Sequence, residues 1–126
     1  MRILYPMLTA ARIISLCLFA IAPAAVLAHV SLDRAVPAAG SAMRGSPPEV
    51  RLRFTSKIEP ALSTIKVLDS RGRQVDKGDA QVDRSDPALL RISLAPLAPG
   101  TYRVTWRVVS IDMHVISGEF DFAVQP

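Results

Sequence analysis

Several short runs of this chain alternate apolar and polar side chains, and a period of two predicts strands with one face on a core. In "VRLRF" (50–54), Val50, Leu52 and Phe54 share one face, with Arg51 and Arg53 on the other. In "TYRVTWRVV" (101–109), Tyr102, Val104, Trp106 and Val108 oppose Thr101, Arg103, Thr105 and Arg107. In "FDFAV" (120–124), Phe120, Phe122 and Val124 oppose Asp121 and Ala123. Further strands are expected at 30–35, 64–69 and 89–94. Prolines and glycines punctuate these runs, as in "DSRGR" (69–73) and Pro99-Gly100. No segment sustains an apolar period of 3.6 residues. About seven short strands predict an all-β domain, an antiparallel β-sandwich with Greek-key connections. Trp106 reads as a core residue of that sandwich.

The first 28 residues follow a different pattern. Arg2 and Arg12 precede the uncharged run "IISLCLFAIAPAAVLA", which closes on small residues at Val26-Leu27-Ala28. A basic start, an apolar stretch and a small-x-small end predict a secretory signal peptide, cleaved before His29. The run is short for a bilayer span of about 20 residues, and Pro23 interrupts it, which disfavours the alternative of an uncleaved anchor. Lipidation of Cys17 fits less well, because bulky Leu16 stands where a small residue is expected. The expected organisation is therefore a signal peptide at 1–28 and one exported domain at 29–126.

Cleavage changes the composition. Removing 28 of the 126 residues leaves 98, with 13 basic against 11 acidic side chains, a balance of +2. The cations are scattered on alternating strand positions, so no nucleic-acid partner is expected. The single cysteine, Cys17, leaves with the signal. That excludes thiol nucleophiles, zinc–thiolate sites and cysteine-ligated blue copper from the mature domain.

Candidate chemistry gathers around the two histidines. In "VVSIDMHVISGEF", Asp112 and His114 lie two residues apart, so on an extended backbone their side chains point the same way. His29, as a new N-terminus, offers its free α-amine and its imidazole Nδ1 in one chelate ring. Amines titrate near about 8 and imidazoles near about 6.5, so both serve a metal at neutral pH. With Asp112 and His114 the set becomes three nitrogens and one oxygen. Such donors suit Cu(II), whereas Cu(I) favours thiolates and thioethers. Of the four methionines only Met43 and Met113 remain after cleavage, and they form no cluster. The site requires the mature N-terminus to lie beside the 110–118 loop.

The segments "HVSLDRAVPAAGSAM", "VRLRFTSKIEPALSTIKVLDSRGRQV" and "LAPGTYRVTWRVVSIDMHVISGEFDFAV" together resemble the CopC family of periplasmic copper-resistance and copper-carrier domains. The resemblance spans essentially the whole mature chain. It implies a Greek-key sandwich or barrel, Ig-like or cupredoxin-like, and one Cu(II) held by an N-terminal His and an Asp-x-His pair. Here those positions are His29, Asp112 and His114. It also implies copper buffering, delivery or resistance, with an inner-membrane copper transporter as partner. Three departures stand out. Met113 and Val115 replace the Gly and Pro usual around the family's His, and Met113 is expected to pack at or shield the site, with axial contact to the metal as the alternative. In "LRFTSK", Ser56 and Lys57 stand where the family carries an acidic residue, and Glu59 is out of that register. The stretch "DKGDAQVDRSDPALL" lacks the Met and His of a Cu(I) site, so a Cu(II)-only protein is expected.

Two other functional classes compete. A copper oxygenase with the same N-terminal brace would need an open coordination position and an exposed aromatic face. The few aromatics here fall on inward strand positions, and Asp112 would occupy the place of oxygen. A metal-free Ig-like interaction module would explain the sandwich but leave the His start without a purpose. No enzymatic activity is expected.

Overall fold

The computed structural model describes Ile3 and residues 30–126. The rest of the expected signal peptide and His29 lie outside the described residues. Eight strands follow in chain order: β1 (Leu32–Val36), β2 (Ala42–Arg44), β3 (Glu49–Phe54), β4 (Thr64–Leu68), β5 (Gln81–Val82), β6 (Leu89–Ser93), β7 (Gly100–Val109) and β8 (Val115–Gln125). One 3₁₀ turn, Pro60–Leu62, precedes β4. The strands form two four-stranded sheets, ordered β1-β3-β6-β5 and β2-β8-β7-β4. Successive strands from β1 to β5 alternate between the sheets, so the chain repeatedly crosses the sandwich.

The alternation in the sequence becomes the core directly. Val50, Leu52 and Phe54 on β3 face Val67, Val104, Val108 and Phe122 from the second sheet's strands, all essentially inaccessible. Burying side chains of this size contributes roughly 1.5–3 kcal/mol each. Tyr102 stacks on Phe122 at 5.6 Å, and its hydroxyl donates to the Ala98 carbonyl, a tyrosine-corner arrangement that ties the loop before β7 to the core. Trp106 is partly buried and packs on the core's margin, 5.7 Å from Phe120. Its cross-strand partner on β8 is Gly118, where even a Cβ would come within 2.4 Å of the indole.

The outward residues include the expected cations, and three of them are matched locally. Arg53 binds Asp33 and Asp86 at 3.0 Å, Arg51 binds Glu49 at 3.3 Å, and Arg103 binds Asp121 at 2.9 Å. Exposed pairs of this kind contribute about 0–1 kcal/mol each.

Two features differ from the expectation. The sandwich is antiparallel except for β2, which runs parallel to β8 through Ala42↔Ala123 and Arg44↔Gln125. These strands are far apart in sequence, so no tight hairpin forces them antiparallel. The strand expected at 120–124 also begins earlier, at Val115, and pairs with β7 along ten positions from Gly100↔Val124 to Val109↔Val115. The hairpin therefore ends on a short turn at 110–114. That turn carries the Asp-x-His pair.

Candidate metal centre

β7 ends inward: Val108, Val109 and Ser110 are all buried. Strict alternation fails there because the chain flanking the 3₁₀ turn runs beside the strand end. The Glu59 N–H donates to the Val109 carbonyl at 2.7 Å, and the Val109 N–H donates to Ser63 Oγ at 3.2 Å. Ile58 bridges Ser110, and the Ile111 N–H donates to the Lys57 carbonyl at 3.1 Å. One side of the turn is thus anchored to residues 57–63.

The turn is closed from within. The Ser110 N–H donates to the His114 carbonyl at 2.9 Å, and the Met113 N–H donates to the Ser110 carbonyl at 2.8 Å. The Ser110 hydroxyl donates to Asp112 Oδ1 and accepts the His114 N–H at 3.0 Å. Met113 takes φ +68°, a left-handed conformation costing a non-glycine residue about 1–2 kcal/mol. The backbone between Asp112 and His114 is therefore a turn, not the extended strand that the two-residue spacing suggested. The pair still converges: His114 Nδ1 lies 3.0 Å from Asp112 Oδ2.

Both side chains are open to solvent, His114 at 56% and Asp112 at 58%. The Asp112 carboxyl is held below the usual carboxylate range, first by the Ser110 hydroxyl and then by hydrogen bonding to His114, with partial desolvation opposing. It is an ionised oxygen donor at neutral pH. Together the two groups offer one carboxylate oxygen and one imidazole nitrogen, N/O donors of the kind that Cu(II) accepts. Their 3.0 Å separation is one that a single ion about 2 Å from each can span.

Among the described residues no third His, Cys, Asp or Glu joins the pair closely enough to complete a metal-holding group. His29, the remaining expected ligand, lies outside them. Met113, expected to pack at or shield the site, is 64% exposed and has a positive φ. Ser110 is the residue of the turn that sequence reasoning misses. Its signal is present, since it extends the inward parity of Val104, Trp106 and Val108 with a hydroxyl where an apolar side chain is expected.

The fold has close counterparts. Residues 32–125 match the CopC domain family. Protein YobA of Escherichia coli is 33% identical over 101 residues, covering 79% of this chain and 82% of that protein. Copper resistance protein C of Escherichia coli is 31% identical over 106 residues, covering 79% of this chain and 83% of that protein. The crystal structure of CopC from Methylosinus trichosporium superposes with a TM-score of 0.73 at 40% identity, over 78% of this chain and 95% of that one. A family match over nearly all the described residues, with relatives this similar along most of their length, makes the chain a member of the CopC family.

Proposed function

We propose that this chain is an exported, periplasmic Cu(II)-binding protein that buffers copper or delivers it to an inner-membrane copper transporter. One Cu(II) per chain is bound by the His29 α-amine and imidazole together with Asp112 and His114. The observation that carries this reading is the solvent-open pair of Asp112 Oδ2 and His114 Nδ1, 3.0 Å apart on a turn anchored to residues 57–63 and closed from within by Ser110.

The path of the chain supports the third ligand. The Ser31 N–H donates to Thr55 Oγ1 at 3.0 Å, and the Thr55 N–H donates to the Ser31 carbonyl at 2.9 Å. Two residues beyond Thr55, the segment Lys57-Ile58 bridges to Ser110 and Ile111. The chain thus enters the sandwich at the end that carries the turn, and His29 is two residues upstream of Ser31. The copper named in the relatives agrees with the N/O character of the pair. Binding and release would be the whole function, with no bond of a substrate broken.

Native mass spectrometry of the exported protein with one equivalent of Cu(II) tests this. The expected mass begins at His29 and keeps one copper at pH 7. Occupancy should fall as pH drops towards 5. Protons then compete for the amine and imidazole nitrogens, whereas the Asp112 carboxyl, held low, stays ionised. A mass retaining residues before His29, or a correctly cut protein without copper, contradicts the proposal. So does retention unchanged between pH 7 and pH 5.

A further inference from the structure

Ser110 is the one polar side chain that the turn encloses completely, at 0% exposure, and it touches both members of the pair. Its single proton goes to Asp112 Oδ1, and an oxygen lone pair takes the His114 N–H at 3.0 Å. The His114 carbonyl, 3.4 Å from the hydroxyl, is already served by the Ser110 N–H at 2.9 Å. Every polar atom of Ser110 therefore acts within residues 110–114. We infer that Ser110 is a positioning residue: its buried hydroxyl ties back Asp112 Oδ1 and the His114 backbone, so that only Asp112 Oδ2 and the imidazole are presented outward at a fixed separation.

Two consequences separate this role from simple packing. With Oδ1 engaged, the Asp112 carboxylate offers one oxygen instead of a freely rotating pair. Without the hydroxyl, Oδ1 and the His114 N–H both lose their partner, and the side chain at 112 regains rotamers that carry it away from His114. Groups that orient a ligand from behind typically change metal affinity by about 10–100-fold when removed. The side-chain part of Ser110's effect runs through Asp112, the one side chain that receives its hydroxyl proton, and the backbone part through the His114 N–H.

The metal sense of this inference rests on the copper reading above, but the positioning is testable without copper. In the mature, metal-free protein, the ring resonances of His114 are compared for the parent, Ser110→Ala and Ser110→Thr. The expected result is a His114 ring environment that is kept in Ser110→Thr and shifts towards that of a free histidine in Ser110→Ala. With Cu(II), competition titration should show Ser110→Ala weakened about 10–100-fold, with a changed electron paramagnetic resonance spectrum and recovery in Ser110→Thr. Ser110→Ala should then cost less in an Asp112→Asn background than it does in the parent, since residues acting as one unit are not additive. Parental His114 resonances in Ser110→Ala overturn the inference. So do losses that multiply in the double variant. If Ser110→Ala does not fold, Ser110→Thr decides, and a folded threonine variant as weak as Asp112→Asn is the overturning result. A parent that binds no Cu(II) defeats the copper reading alone, because the metal-free spectra still test the positioning.

Discussion

A Gly118→Ala variant should melt roughly 10–20 °C below the parent, the largest change expected from adding a single carbon to this sandwich. The added Cβ would stand 2.4 Å from Cζ2 and 2.8 Å from Cε2 of Trp106, distances that no side chain tolerates. Gly118 sits on β8 directly opposite Trp106, so neither strand can shift without breaking the long ladder between β7 and β8. The indole must instead swing outward, losing its contact with Phe120 and its seat on the core. Overpacking of this kind costs about 1–3 kcal/mol, and a lost aromatic pair adds about 0.5–1.5 kcal/mol. Trp106 is the only tryptophan, so its emission reports the displacement directly as a red shift. Parental emission and melting temperature in Gly118→Ala would show that the indole does not depend on the missing Cβ.

Copper affinity should respond to changes that leave the fold intact. Replacing His114 with alanine, or placing one glycine ahead of His29, should weaken Cu(II) binding at pH 7 by at least about a hundredfold, beyond the span usual for groups behind the ligands. The first removes an imidazole donor. The second turns the free α-amine into an amide and so breaks the chelate ring that a His start provides. Because the His114 side chain is more than half exposed, its removal should barely move the melting temperature. Circular dichroism beside a competition titration measures both quantities on one sample. Parental affinity in either variant would remove that group from the site.

The strands that can be read from the sequence are those whose two faces meet different surroundings. In β3, Val50, Leu52 and Phe54 are buried while Arg51 and Arg53 stay in water, and the letters alternate accordingly. β2 and β5 cannot be read. Ala42–Arg44 and Gln81–Val82 are too short to show a period, and backbone pairing to β8 and β6 defines them. The close fit of Trp106 on Gly118 depends on the register of β7 against β8, which follows from the length of the turn and not from either residue. At the candidate site the reverse applies. Asp112 and His114 are legible because metal chemistry selects few residue types, although their meeting depends on a turn and not on strand parity. Ser110 shows in the sequence only as a hydroxyl at an inward position, a signal that gives its place but not its partners. Its role exists only in the hydrogen bonds it makes.

The turn at 110–114 also has a consequence in time. It closes the one long hairpin of the fold, β7 with β8, across only five residues, whereas His29 is more than eighty residues away in sequence from Asp112. Closing a short loop costs less entropy than closing a long one, so local pairs tend to form before distant ones. Asp112 and His114 should therefore meet early, and the N-terminal strand should dock last. Pulse-labelled hydrogen exchange would register this as protection of Gly100–Val109 ahead of Leu32–Val36, and the reverse order would refute it. On the copper reading proposed above, the Asp112–His114 half of the site would then stand ready before the strand that follows His29 has docked.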